Sequence, residues 1–200
     1  MRLTPLQKTL WIAAILASVL FVAARPWFPA QPQMTSAATG DELRPQFDLP
    51  DGAGRMRNSP EFRGQWLLVF FGFTNCPDVC PTTLSEVAEV MDGLGRAAER
   101  VQPIFISIDP ERDRALGIDD YTAAFHPRIL GLAGDADQTR TAADSFHIYY
   151  EREAAEQAPD GYTMSHSPGL FLIGPDGVWL RQYAYGTPAA EILADLQERF

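Results

Sequence analysis

The chain has 200 residues, 46% hydrophobic, 21% charged and 11% aromatic, which fits one globular domain with appendages. Sixteen Lys and Arg against 26 Asp and Glu leave a net charge of −10, and so acidic a surface argues against binding nucleic acid. Two cysteines exclude a disulfide-rich scaffold and a zinc site made of four thiolates.

Leu10 to Ala24 carries no charge and follows Arg2 and Lys8. As a helix it covers roughly 22 Å, short of a ~30 Å hydrocarbon core; Trp27 and Phe28 at one interface, with Lys8 snorkelling at the other, extend the span. Residues 1–25 therefore read as an N-terminal membrane anchor. The alternative is a signal segment cut near Val22-Ala23-Ala24, although Arg25-Pro26 is a poor sequence to follow a cut. The leading positive charge keeps the N-terminus in the cytoplasm, so the bulk of the chain is expected across the inner membrane, in the periplasm. Residues 26–42, rich in Pro, Ala, Ser, Thr and Gln, have linker composition. Residues 43–200 remain for the domain, long enough to bury roughly 70% of the surface exposed when unfolded.

In that domain, strands and helices alternate. Phe47-Asp48-Leu49, a turn at Asp51-Gly52-Ala53-Gly54 and a short return predict a β-hairpin. Trp66 to Phe71 (WLLVFF) is a continuous apolar run, as expected of a strand buried on both faces. Thr82 to Arg100 reads as a helix with Leu84, Val87, Ala88, Met91 and Leu94 on one face, and Val101 to Ile108 as a second buried strand. Ile118 to Phe125 and Ala136 to Phe146 read as helices, either side of the apolar stretch Ile129 to Leu132. Ile148-Tyr149-Tyr150, Leu170 to Ile173 and Val178 to Tyr183 read as strands, Tyr162 to Pro168 as a polar loop, and Ala189 to Phe200 as a closing helix. The pattern is that of an α/β domain whose sheet has a parallel core and helices on both faces. Ligands in such sheets bind beyond the carboxyl ends of the strands, where the loop after WLLVFF lies.

That loop reads Gly72-Phe73-Thr74-Asn75-Cys76-Pro77-Asp78-Val79-Cys80-Pro81. Its two thiols open a helix, where backbone N–H groups and the helix dipole favour thiolate. Helical i,i+4 spacing holds Cβ atoms about 5–6 Å apart, wider than the about 3.5–4.5 Å of a disulfide. Two sulfurs each about 2.3 Å from a shared ion span that gap more easily, a bond length that applies to zinc. Pro77 and Pro81 loosen the helical geometry, so the loop is compatible with both a disulfide and a metal-holding form. A third ligand is then needed, and three histidines are available. His126 before Pro127 reads as a surface residue, His147 in Phe146-His147-Ile148-Tyr149 as half-buried and hydrogen-bonded, and His166 as lying in the polar loop.

Phe71-Gly72-Phe73-Thr74-Asn75-Cys76-Pro77-Asp78-Val79-Cys80-Pro81-Thr82-Thr83-Leu84 resembles the signature of the Sco/SenC proteins, copper-handling assembly factors for cytochrome c oxidase. Phe105-Ile106-Ser107-Ile108-Asp109-Pro110-Glu111-Arg112-Asp113, Ala124-Phe125-His126-Pro127-Arg128, His166-Ser167 and Phe171-Leu172-Ile173-Gly174-Pro175-Asp176-Gly177 are similar to the same family, in order. The resemblance implies a thioredoxin-like fold, with a central mixed sheet flanked by helices. It also implies one copper ion, Cu(I) or Cu(II), held by Cys76, Cys80 and His166. Thiolates suit Cu(I) and imidazole suits both oxidation states, whereas a Cys2His zinc site is the alternative. The implied partner is a copper-receiving subunit of cytochrome c oxidase or another copper chaperone. Asp109, after a strand on the same sheet edge, is a candidate to orient a ligand from behind, or an ordinary turn carboxylate. Asp78 is expected to make contacts at the helix start and is given no metal role.

The chain departs from the family pattern at three places. Asn75 stands where histidine is frequent, Ser165 where an aspartate often precedes the ligand histidine, and Pro168 where Sco sequences usually lack proline. Thioredoxin-like oxidoreductases keep a cis-proline at the last position, so a cis Ser167–Pro168 bond would favour a second function: a thiol–disulfide oxidoreductase in which Cys76 attacks and Cys80 resolves. Thr74-Asn75-Cys76 is also superficially similar to a peroxidatic loop, but no clear partner arginine accompanies it.

Overall fold

Phe70 and Phe71, adjacent in a strand, must point to opposite faces of a sheet, and both are buried, so this sheet needs cover on each side. The computed structural model describes residues 42–158 and 160–200, and Glu42–Phe200 forms one compact unit. The proposed anchor, and all but the last residue of the linker, lie outside the described residues. Among the described residues no helix is long and apolar enough to cross a membrane.

A short hairpin pairs β1 (Asp48–Pro50) with β2 (Met56–Asn58). The Asp51 carboxylate shapes its turn by accepting from the N–H groups of Ala53 and Arg55 at 3.1 and 2.9 Å. Beyond it, β3 (Trp66–Gly72) and β4 (Val101–Ser107) run parallel and in step, from Trp66 opposite Val101 to Gly72 opposite Ser107. Beside β4 lies the parallel β5 (Leu130–Leu132); on the other flank of β3, β8 (Leu170–Ile173) runs antiparallel to β3, and β9 (Trp179–Tyr183) antiparallel to β8. The mixed sheet therefore has the order β5-β4-β3-β8-β9.

Helix α1 (Val79–Leu94) follows β3, α2 (Pro110–Leu116) and α3 (Ile118–Ala123) follow β4, α4 (Ala136–Ser145) follows β5, and α5 (Ala189–Gln197) closes the chain. Phe71 packs on Phe146, just past α4, with ring centroids 5.2 Å apart; Phe70 packs on Phe105 at 6.0 Å. Leu193 of α5 lies so close to Gly93 of α1 that a Cβ there would meet it at 2.6 Å. The expected helix to Arg100 stops at Leu94. Gly95 turns the backbone to φ 54° and a 3-10 helix, Gly95–Arg100, carries the chain into β4.

Beside the 3-10 helix Ser59–Phe62, a helix and a strand near the CxxxC loop go beyond the elements expected from the sequence. Pro110 at the first helical position and Glu111 and Asp113 in the first turn start α2, which has too few apolar residues to show a period. The expected polar loop contains a strand: β7 (Tyr162–His166) pairs antiparallel with β6 (Tyr150–Ala154), so the strand expected at Ile148–Tyr150 begins only at Tyr150. This second hairpin is a two-stranded sheet of its own, unpaired with the central one.

Candidate functional site

The carboxyl end of β3 delivers the chain into the CxxxC loop, and residues far apart in sequence lock that loop in place. Asp113 of α2 is fully buried and accepts from the Thr74 N–H at 3.1 Å, the Thr74 hydroxyl at 2.7 Å and the Ser107 hydroxyl at 2.6 Å. Burial pushes this carboxyl above its ordinary range, and the three donors oppose that rise. The Cys76 N–H then turns back to the Phe73 carbonyl at 3.2 Å.

At the start of α1 the Asp78 side chain caps no backbone N–H; its contacts are with the hydroxyls of Thr82 and Tyr185, at 3.5 Å each. Sulfur takes the capping role: Cys76 Sγ accepts from the Cys80 N–H at 3.4 Å. The two thiols are not bonded to each other; Cys76 is partly exposed and Cys80 is fully buried. A hydrogen bond from the Cys80 thiol is the largest influence on Cys76 and brings its pKa down to about 5. The Asp78 and Cys80 N–H groups and nearby His166 add to the fall, against burial. Donating that hydrogen bond, together with burial, drives the Cys80 thiol far upward. One sulfur is thus a thiolate and its neighbour a thiol.

Gly72 makes room for this arrangement. A Cβ at that position would sit 2.7 Å from Cys80 Sγ and 2.9 Å from ring atoms of both Phe105 and Phe70.

His166 ends β7. Its Nδ1 lies 3.1 Å from the Ser167 carbonyl, which can only accept, so Nδ1 carries the proton and Nε2 keeps its lone pair. Burial lowers its pKa, opposed by the Ser167 contact and by Cys76. The ring stands edge-on to Phe70 and Phe73, at 6.2 and 6.3 Å. Cys76 and His166 line one cleft of about 280 Å³, with Phe73, Pro77, Val79 and Pro168. Larger cavities of about 420 and 450 Å³ open between Arg55 and Arg128 and beside Arg140, but neither contains a thiol or an imidazole.

Cys80 does not line the cleft, and among the described residues no three His, Cys, Asp or Glu side chains stand close enough to hold one ion together. Loading an ion on all three donors therefore requires the Cys80 sulfur or the hairpin to shift. Asp109 is buried, but its carboxylate accepts from the Tyr162 hydroxyl at 3.0 and 3.1 Å and lies 2.6 Å from Arg112; it makes no hydrogen bond to Cys76, Cys80 or His166. The other histidines stand elsewhere. His126 accepts from the Arg128 N–H through Nδ1 at 3.1 Å and is less open than expected, its side chain 15% exposed. His147, expected half-buried, is exposed, because α4 ends two residues earlier and the chain leaves it through a left-handed φ of 54°.

The Ser167–Pro168 bond, cis or trans on the sequence alone, is trans, as is every peptide among the described residues. Ser167 extends the hairpin past β7, its N–H donating to the Tyr149 carbonyl at 2.9 Å and its hydroxyl accepting from the Tyr149 N–H at 3.3 Å.

The SCO1/SenC family model matches residues 35–200. This chain belongs to the SCO1/SenC family. It is 40% identical over 148 residues to the mitochondrial SCO2 homolog of Bos taurus, covering 73% of this chain and 55% of that protein. The chain spans 55–60% of the length of its mammalian SCO2 relatives. Bradyrhizobium japonicum ScoI, solved with copper bound, superposes with a TM-score of 0.71 at 34% identity, over 79% of this chain and 99% of that one. Apo Sco1 of Thermus thermophilus, solved in solution, gives 0.71 at 36% identity, over 78% and 91%. The fold of this SCO1/SenC chain is accordingly thioredoxin-like, as the motifs implied. Gly72, Thr74 and Asp113 had no sequence signal beyond lying inside those motifs.

Proposed function

We propose that this chain binds one copper ion through Cys76, Cys80 and His166 and passes it to a copper-receiving subunit of cytochrome c oxidase or to another copper chaperone. The observation that carries this reading is a thiolate and an imidazole with a free Nε2 lining one cleft, with a second thiol directly behind the first. Two soft sulfurs and one borderline nitrogen suit copper in either oxidation state, and three protein ligands leave a position through which a partner's ligand can enter. Copper is bound in the Bradyrhizobium relative, and the Sco family is one of cytochrome c oxidase assembly proteins. In this reading residues 1–25 anchor the chain in the inner membrane and the domain faces the periplasm. Reconstitution under reducing conditions should give one copper per chain by metal analysis, and His166→Ala should abolish stable binding while Cys76 and Cys80 still cycle between dithiol and disulfide. Less than stoichiometric copper on the wild type refutes the reading, and zinc retained in preference to copper replaces it.

The asymmetry of the thiols favours a second reading, a thiol–disulfide oxidoreductase. Cys76 thiolate attacks a partner's disulfide and expels one partner thiolate; Cys80, losing its proton, then attacks the mixed disulfide and expels the second, leaving the partner reduced and Cys76–Cys80 oxidised. Turnover with a dithiol reductant should survive His166→Ala and vanish in Cys76→Ser. Absence of turnover in the wild type removes this activity.

A further inference from the structure

The thiols and the imidazole stand on elements that share no strand pairing: the loop after β3, and the end of β7, whose partner is β6. One side chain touches both. Arg112 of α2 places its guanidinium carbon 5.8 Å from the ring centroid of Phe73, at the head of the CxxxC loop, and 4.3 Å from that of Tyr162, at the head of β7. Its side chain is 8% exposed and held by charge, with Nη2 2.6 Å from Asp109 and Nη1 3.4 Å from Asp160. Tyr162 is fixed in turn by its hydroxyl on Asp109 and by Arg152, whose guanidinium carbon is 4.0 Å from the same ring. The Phe73 ring meets the His166 ring edge-on, so both contacts of Arg112 lead to the imidazole.

The ion pair with Asp109 calls for a positive charge here, not for a planar guanidinium set between two rings. Nε is buried without a hydrogen-bond partner among the described residues, and Nη2 meets Asp109 out of hydrogen-bonding line. An apolar side chain of similar length would leave no such donor unsatisfied but would strip the buried Asp109 carboxylate of this partner, whereas a lysine would keep the charge and lose the planar stack.

We propose that Arg112 is a positioning residue, clamping the β6–β7 hairpin and the CxxxC loop to one guanidinium and so setting His166 against the thiol pair. The inference rests on the copper reading. It is tested with Arg112→Met and Arg112→Lys in the full chain, and with Tyr162→Phe should the Met variant fail to fold. In metal-free protein, amide exchange across Tyr162–His166 should quicken about tenfold in Arg112→Met while β3 and β4 keep their protection; Lys, which keeps the charge without the planar stack, should recover part of the loss. On loading with Cu(II), Arg112→Met should hold copper more weakly than wild type and show less imidazole nitrogen coupling in its electron paramagnetic resonance spectrum, and Arg112→Met/His166→Ala should lose copper as His166→Ala alone does. Wild-type exchange and a wild-type copper spectrum in Arg112→Met overturn the clamp. Weaker copper binding with unchanged nitrogen coupling in Arg112→Met also overturns it, because Arg112 would then act through the thiols. If His166→Ala keeps copper with the wild-type spectrum, it is the imidazole ligand that fails, and the exchange measurement still decides the clamp.

Discussion

The thiol pair makes a quantitative prediction about the metal-free, reduced protein. With a pKa of about 5, Cys76 is thiolate in about 99% of molecules at pH 7, against about 3% for a free cysteine near 8.5. That gain of about thirtyfold does not make Cys76 thirtyfold faster. With a Brønsted slope of about 0.4–0.5, a thiolate this much less basic loses roughly 25- to 55-fold in intrinsic nucleophilicity, and the two effects nearly cancel. The diagnostic quantity is therefore the pH profile. The first-phase rate with 4,4′-dithiodipyridine should rise as pH increases through about 5 and be flat from pH 6.5 upward. Cys80→Ala removes the largest cause of the depression, the Cys80 thiol hydrogen bond, so its midpoint should move upward. It should stay below that of an ordinary thiol, because the N–H groups at positions 78 and 80 and the nearby His166 remain. A wild-type rate still climbing between pH 7 and 9, or an unchanged midpoint in Cys80→Ala, would refute the hydrogen-bonded pair.

Two further substitutions probe the frame around the thiols. Gly72→Ala pushes a methyl group into Cys80 Sγ and the rings of Phe70 and Phe105; overpacking of this kind costs about 2 kcal/mol and should lower Tm by roughly 4–8 °C, so an unshifted melt by circular dichroism contradicts the contact. Asp113→Ala strands the Thr74 N–H and two hydroxyls and should cost about 2–4 kcal/mol in urea unfolding, whereas Asp113→Asn, which still accepts, should cost less; equal losses would show that the acceptor is not what matters.

The parts of this molecule that were legible in its sequence are those whose signal is local. WLLVFF announces a strand buried on both faces, and the turn at Asp51-Gly52-Ala53-Gly54 announces a hairpin, because burial and turn chemistry act on neighbouring residues. The hairpin carrying His166 was not legible: Tyr162, Met164 and His166 alternate with Thr163 and Ser165, but only Met164 is buried, too little apolar signal to set the segment apart from a polar loop. Arg112 and Asp113 were out of reach for another reason. Asp113 meets Thr74 across 39 positions and Arg112 is held partly by Asp160 across 48, contacts that no spacing rule encodes. Asp109 stands out in the sequence by its place at the end of a strand, but in the structure its charge is taken up by Arg112 and Tyr162.

The serine before His166 has a reason in the same hairpin. Glu151 of β6 stands directly opposite Ser165 of β7, so the two side chains share a face. An aspartate at 165 would here place two carboxylates across from each other, a cross-strand repulsion of roughly 0.2–1 kcal/mol. The acceptor that such an aspartate could offer the imidazole is already supplied by the Ser167 carbonyl, which fixes the Nδ1 proton without adding charge. Ser165→Asp should therefore loosen the hairpin, read as faster amide exchange over Tyr162–His166, and adding Glu151→Gln should restore it. If Ser165→Asp is equally costly in the wild-type and Glu151→Gln backgrounds, the opposing carboxylate is not the reason, and the Ser167 carbonyl alone must account for the serine.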